Sequence, residues 1–299
     1  LQAQADGLRW ELVADARAAY ARLVAARALV EIAQGTEADA RSLRNLVTNR
    51  ADLGEARESD RIKATVEWLR QQRNLATARR EADAAEVLVR TLAVAPLPQP
   101  LVLAVASVPP VRALRDDLTA EDLVARHPRV LAADAELARQ RAQLSVAASS
   151  RVPSPEVTAF RTGELDKTSA GVAFGFKVPL WNANRGEIAR AQAGTLVASA
   201  DLARQRVDLA AAFAARLRDL QVATSQVSLL EGDLLGAAQR SVDLARFSFE
   251  EGETSLLDLL DAQRTLRDTQ RELVDARLAL AIAVIEAQRL AGPDFTPWK

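Results

Sequence analysis

The chain has 299 residues, 39 basic and 40 acidic, for a net charge of −1, without the basic excess expected of a nucleic-acid binder. It has no cysteine and one histidine, which excludes disulfides, thiolate chemistry and histidine-rich metal clusters. Ala, Leu, Arg, Asp and Glu dominate and only 4% of residues are aromatic, a composition of long helices or coiled coil rather than of an enzyme with a thick core.

Residue 1 is Leu, methionine is absent throughout, and no signal-peptide pattern opens the chain, so residue 1 is read as an internal point of a longer protein. No run of about 18 apolar residues exists, so no transmembrane helix is expected. The eleven prolines fall between Pro96 and Pro179 and at Pro293 and Pro297. A proline inside a helix costs roughly 3 kcal/mol, so windows 1–95 and 180–292 are free to be helical.

The first element, 1–94, is read as two antiparallel helices joined near Gly54. A proline-punctuated connector follows at 95–118, "APLPQPLVLAVASVPPVRAL" marking it over 95–114. Residues 119–151 resume a helix, with Thr119 as N-cap and Glu121 and Asp122 in the first turn. His127-Pro128 either bends that helix or marks its true start. At 152–181 the period changes to two: Val172, Phe174, Phe176, Val178 and Leu180 share one face, and Ala173, Gly175 and Lys177 the other. This reads as a β-hairpin whose segment length and alternation suit strands of a transmembrane barrel, with Val172, Phe174, Phe176 and Val178 on the lipid side. Trp181 and Phe176 stay open between an aromatic girdle and packing at a junction, and Arg161 and Lys177 between the barrel interior and a strand end. A lone hairpin cannot close a barrel, because strand edges are not tolerated in lipid. Other copies or a missing repeat must complete it.

Residues 182–292 form the second helical hairpin, capped by Asn182 or Asn184 and turning near Gly252; a tail occupies 293–299. Leu259, Leu266, Leu273 and Leu280 recur every seven residues, with Ala262, Ala276 and Ala283 on the same seam, and Phe213, Leu220, Val227 and Leu234 keep the period upstream. Residues 54–93 also overlay 252–291 without a gap. Gly54/Gly252, Glu55/Glu253, Asp60/Asp258 and Ala64/Ala262 coincide, and "QRNLATAR" (72–79) falls on "QRELVDAR" (270–277). The chain therefore carries an internal repeat offset by 198 residues. The same offset places the first repeat's β-hairpin upstream of residue 1.

The expected fold is thus mainly α: long antiparallel coiled-coil hairpins in two repeats, with one inserted β-hairpin contributing to an oligomeric transmembrane β-barrel. "VPLWNANRGEIARAQA" (178–193) and "FEEGETSLLDLLDAQRTL" (249–266), in this order of elements and with "LAG" at 290–292, resemble the TolC-like outer-membrane efflux proteins. The resemblance covers essentially the whole chain and is strongest to the cobalt–zinc–cadmium type of heavy-metal efflux branch. It implies the outer-membrane channel of a tripartite efflux system: a passive homotrimeric conduit in a Gram-negative outer membrane, with a periplasmic helical extension. It further implies a periplasmic adaptor and an inner-membrane proton-driven pump as partners, and divalent heavy-metal cations as a candidate cargo. The glycine turns would lie at the periplasmic end, making Arg50, Gly54, Glu55, Asp60, Arg246, Gly252, Glu253 and Asp258 gate or adaptor contacts. For the acids among them, solvated turn residues that favour the following helix N-terminus are the plainer alternative.

No nucleophile–base pair, phosphate loop or dinucleotide fingerprint is present, so neither enzyme activity nor a cofactor is expected. Glu250, Glu251 and Glu253 on a turn lack the shaped cage that hard cations need and are not read as a metal site. A periplasmic adaptor or coiled-coil scaffold without a channel is the competing reading. Two helical hairpins in repeat around one β-hairpin weigh against it.

Overall fold

The computed structural model describes residues 2–93, 97–99, 101–103, 120–149, 154–164, 167–177 and 184–291. Helix α1 (Gln2–Asp52) and α2 (Glu58–Leu92) form the first hairpin. Helices α3 (Ala120–Arg126) and α4 (Pro128–Ser149) precede strands β1 (Ser154–Glu164) and β2 (Lys167–Lys177). Helix α5 (Arg185–Leu229) passes through a π-helical turn (Leu230–Leu234) into α6 (Leu235–Glu250), and α7 (Leu256–Ala291) returns. Two compact units result: residues 1–118 with 213–299, and residues 119–212. Thr119, Val178, Leu180, Trp181, Asn182, the tail at 293–299 and most of the 95–118 connector lie outside the described residues.

In the first unit α1 packs on α2 and on α7, and α7 packs on α6. Alanine makes this close: Ala14, Ala18, Ala19, Ala21 and Ala25 of α1 are buried together with Leu23 and Val24. With so little side-chain volume between helices, backbones approach closely and dispersion over the interface replaces large core residues. Trp10 donates its indole N–H to the Arg289 carbonyl at 3.1 Å, and Arg289 pairs with Asp15 at 3.3 Å, holding α1 to α7 far from the turns. The described part of the connector is strapped to the first hairpin. Arg27 donates to the Leu101 carbonyl at 2.7 Å, Arg90 to those of Leu97 and Pro98, and both arginines share Glu86. Hydrogen bonds from Arg90 and then Arg27 hold the Glu86 carboxyl below the usual glutamate range.

The heptad expectation holds only in part. Leu259, Leu273 and Ala276 are buried, whereas Leu266, Leu280, Ala262 and Ala283 are half-buried. The buried set then moves to Val284, Ile285, Ala287 and Gln288. A straight helix drifts about 20° per heptad against a strict seven-residue repeat, so the seam walks round α7. Upstream, Val227 is buried but Leu234 is exposed, and Ala238 and Val242 take its place. The cause is the π turn, where the Leu235 amide reaches back to the Leu230 carbonyl. One extra residue in the turn advances the buried face. Arg277 of α7 clamps that turn through Glu231, at 2.7 Å.

In the second unit, His127 marks the true start of α4 rather than a bend. Its Nδ1 accepts the Arg129 amide at 3.1 Å and its carbonyl accepts that of Val130, with Pro128 at the first helical position. Asn184, at φ 54°, takes the cap position of α5: its carbonyl accepts the Ile188 amide, while its side-chain amide donates to the Ala147 carbonyl of α4.

Strands β1 and β2 pair antiparallel, Ser154 with Lys177 through Glu164 with Lys167. Paired residues share a face, so Val157, Ala159 and Arg161 join Phe174, Val172 and Ala170. Glu156, Thr158 and Phe160 join Gly175, Ala173 and Gly171 on the other. Val157, Val172 and Phe174 are exposed. Arg161 lies on the apolar face near the turn end. Phe160 lies over Gly171, so a Cβ added there would sit 2.7 Å from the ring tip and push the exposed ring aside.

Candidate functional site: the paired helical tips

Two sites follow from this architecture: the pair of glycine turns and the unclosed β-hairpin. The turns are built alike. At the end of α1, the Gly54 amide bonds the Ala51 carbonyl at 3.0 Å and the Glu55 amide bonds that of Arg50 at 2.8 Å. At the end of α6, the Gly252 amide bonds Phe249 at 3.2 Å and the Glu253 amide bonds Ser248 at 2.8 Å. Both glycines have φ of 79°. This is the Schellman arrangement, in which a left-handed residue turns the chain and satisfies the last carbonyls. The 198-residue repeat therefore extends to individual backbone hydrogen bonds.

Side chains make the tips unequal. Arg50 crosses from the first hairpin to the second, donating to the Glu250 carbonyl at 2.9 Å and the Phe249 carbonyl at 3.3 Å. Its guanidinium also lies 5.5 Å from the Phe249 ring centroid. A cation on the last carbonyls of α6 complements the negative end of that helix. The repeat mate of Arg50 is Ser248, so no equivalent arm reaches back. Beneath the tie, Leu43, Val47, Ala64, Leu256 and Leu259 form a buried cluster with Phe249 against it.

The helices leaving the turns begin differently too. Ser255 caps α7: its hydroxyl accepts the Asp258 amide at 3.3 Å, while Asp258 accepts the Ser255 hydroxyl at 2.7 Å and amide at 3.1 Å. This is a capping box with aspartate in the reaching position. The Ser255 hydroxyl, and then its amide, hold the Asp258 carboxyl below the ordinary aspartate value. Arg57 occupies the matching cap of α2 and makes no side-chain cap bond. Asp60, the mate of Asp258, faces Lys63 at 3.4 Å instead.

Of the remaining expected residues, Arg246 meets Asp39 of α1 at 3.8 Å with both side chains well exposed. Glu55, Glu250, Glu251 and Glu253 stay exposed on the outside of the turns. Between α1, α6 and α7 lies a small polar cleft of about 140 Å³, lined in part by Asp39, Ser42, Arg246 and Gln263. Among the described residues no group of three His, Cys, Asp or Glu side chains is arranged to hold a metal. Nor is any described helix long and apolar enough to cross a membrane, which says nothing of a β-barrel. Asp39, Phe249 and Ser255 were not singled out by the sequence reading. Ser255-x-x-Asp258 is a legible capping pattern, but nothing local marks Asp39 or Phe249.

Behind the tips a second polar layer joins the hairpins. Glu37, 5% exposed, accepts a forked pair from Arg41 and the Trp68 indole N–H at 2.8 Å, with Arg44 stacked 4.2 Å from the Trp68 ring centroid. Arg41 first and Trp68 second hold the Glu37 carboxyl low. Arg267 of α7 pairs with Glu67 of α2 at 3.3 Å, and buried Gln71 bridges Glu67 to Asn74. Polar groups buried at this depth are satisfied within the layer, which fixes how the hairpins sit against each other. The site as a whole can latch two helix ends together; it offers no nucleophile and no acid–base pair.

A model of the family described as outer membrane efflux protein matches residues 119–293, more than half of the chain. The chain is 26% identical over 272 residues to the cobalt-zinc-cadmium resistance protein CzcC of Cupriavidus metallidurans, covering 89% of this chain and 64% of that protein. Its fold is similar to that of CusC, at a TM-score of 0.83 and 20% identity, over 96% of this chain and 69% of the other. It is also similar to the Neisseria gonorrhoeae MtrE outer membrane channel in its open state, at a TM-score of 0.78 and 19% identity, over 96% and 67%. The chain thus spans about two thirds of the length of these proteins.

Proposed function

Because the chain belongs to the outer membrane efflux protein family, we propose that it forms the outer-membrane conduit of a tripartite efflux system. Three copies pool their β-hairpins with those of a first repeat to close a barrel in a Gram-negative outer membrane, and the helical hairpins extend it into the periplasm. One observation carries this reading: a two-stranded sheet with Val157, Val172 and Phe174 exposed on one face, lying between the two helical hairpins in chain order and not closed on itself. An isolated two-stranded sheet is at best marginally stable in water, and in lipid only closure into a barrel satisfies its strand edges. Val172, Phe174, Phe176 and Val178 are assigned to the lipid side on that basis.

Transport through such a path needs no chemistry, only a sealed, water-filled route. The paired tips are its periplasmic mouth, where Arg50, Gly54, Glu55, Asp60, Arg246, Gly252, Glu253 and Asp258 gate the opening or meet the adaptor. A periplasmic adaptor and a proton-driven inner-membrane pump deliver the cargo. Likeness to CzcC supports divalent cobalt, zinc and cadmium as that cargo.

The test is reconstitution of the full-length protein in planar bilayers, with cation tolerance measured in cells lacking the gene. Discrete trimeric channels and lost cobalt, zinc or cadmium tolerance are expected. A protein that stays monomeric and soluble without detergent would overturn the reading in favour of an adaptor or scaffold.

A further inference from the structure

On the apolar face of the β-hairpin the pairing register places one charge among uncharged neighbours. Val157, Ala159, Arg161 and Gly163 of β1 share that face with Phe174, Val172, Ala170 and Thr168 of β2. Val157, Val172 and Phe174 are exposed on it, and so is Arg161. Among the described residues Arg161 makes no hydrogen bond and no ion pair. Glu156, the other described charge of the strands, belongs to the opposite face. The residues around Arg161 are small: Ala159 and Gly163 along β1, Ala170 directly across, and Thr168 on the diagonal. They leave room around the guanidinium and set one hydroxyl beside it.

Height on the face decides what this charge can meet. The chain enters the hairpin from α4 at Ser154 and leaves it toward α5 at Lys177, so the Glu164–Lys167 end points away from the helices. With the helices in the periplasm, that end lies on the outer side of the membrane. Toward the helices, the sequence continues the apolar alternation from Val172 through Leu180. Toward the turn it stops, since Thr168 and Gly163 follow Ala170 and Arg161. By the rise of an extended chain, the stretch from Ala170 to Leu180 measures about 34 Å. At a strand tilt of about 40° this is about 26 Å of height, close to the about 25 Å of a barrel's apolar band. Arg161, level with Ala170, therefore stands at the outer edge of that band. A lipid-facing arginine is costly at the midplane and far less so at the interface, where its stem lies on apolar surface and its head reaches the headgroups.

We propose that Arg161, with Thr168 beside it, binds a phosphate of the phosphorylated glycolipid that forms the outer leaflet of the outer membrane. A planar guanidinium takes two phosphate oxygens at once, and the Thr168 hydroxyl supplies a further donor. The acyl chains of the same lipid then lie below the phosphate, against Val172 and Phe174. Charge complementarity selects this occupant, because the described face offers a cation and a hydroxyl but no acid. The inference rests on the barrel reading above and names the lipid that the barrel's outer rim holds.

The test uses the full-length protein in detergent, titrated with a bis-phosphorylated glycolipid, its enzymatically dephosphorylated form, and phosphatidylglycerol, with bound lipid counted by native mass spectrometry. The phosphorylated glycolipid is expected to bind about tenfold tighter than the dephosphorylated form, the worth of a charge-assisted bond. Arg161→Gln is expected to abolish that difference and Arg161→Lys to recover part of it, while Glu156→Gln on the opposite face leaves it unchanged. Equal binding of the two glycolipids, or an undiminished preference in Arg161→Gln, overturns the site and leaves the conduit reading intact, provided the protein is still trimeric. Phosphatidylglycerol bound as tightly as the phosphorylated glycolipid overturns the outer-leaflet assignment. A protein that is monomeric and soluble without detergent overturns both the site and the conduit.

Discussion

The two helix turns share a backbone and differ in nearly everything attached to it. Gly54 and Gly252 have the same φ, and their flanking amides find the same carbonyls 198 residues apart. Yet the first tip supplies Arg50 to the second, whereas the second carries its own Ser255–Asp258 cap. Reversing the chain is a local problem with one solution, so both copies kept it. Holding the tips together needs a single arm, so only one repeat had to evolve it.

The shared part is the most sensitive to substitution. Gly54→Val and Gly252→Val should each destabilise the helical unit by about 2 kcal/mol, since a left-handed conformation costs an L-residue roughly 1–2 kcal/mol and a β-branched one more. Nothing lies within 4 Å of a Cβ at either site, so backbone strain alone acts and the two losses should be equal in chemical denaturation. Gly35→Ala, in the interior of α1 with equally open surroundings, should instead stabilise by about 1 kcal/mol. Unequal losses at Gly54 and Gly252 would break the claim that the turns are one device.

The unshared part should respond asymmetrically. Arg50→Ala removes charge-assisted bonds to two carbonyls at a half-buried site, a loss of about 1–1.5 kcal/mol, and should raise closed-state conductance. Arg50→Lys should recover only part of it, because an ammonium lacks the fork. Ser255→Ala should cost about 0.5–1 kcal/mol, and Arg57→Ser, which places a serine three residues before Asp60, should add a similar amount.

The Ser255 cap also predicts a pH effect. The Asp258 carboxyl is lowered by its bonds to Ser255, so its stabilisation is present above the unfolded value of about 3.9 and lost as pH falls through the lower folded one. Ser255→Ala should flatten that acid limb in thermal melts. The smallest effect belongs to Arg246→Ala, whose exposed 3.8 Å pairing with Asp39 should contribute less than about 0.5 kcal/mol. For gating, Asp60→Ala and Asp258→Ala measured side by side would sharpen the contrast; unchanged closed-state conductance removes both as latches.

Much of this was legible beforehand because it depends on near neighbours in the chain. Proline placement bounded the helices, glycine among polar residues located the reversals, and a period of two within 152–181, clearest from Val172 on, located the β-hairpin. His127 declared itself a helix start only once Pro128 was seen at the first helical position. The seam of α7 was half legible: the repeat found Leu259 and Leu273 but also promoted Leu266 and Leu280, because an alanine-rich helix leaves its rotational phase loosely written.

What the sequence determined by itself is the set of elements, the turns and the repeat, each fixed by local backbone preference and side-chain period. Only tertiary structure decided which faces meet. It brought Arg50 to carbonyls 199 and 200 residues away, shifted the buried face of α6 through a π turn, and placed Arg161 on the apolar side of the hairpin. Helix phase and strand register are properties of the packed pair, and no short stretch of chain contains its partner.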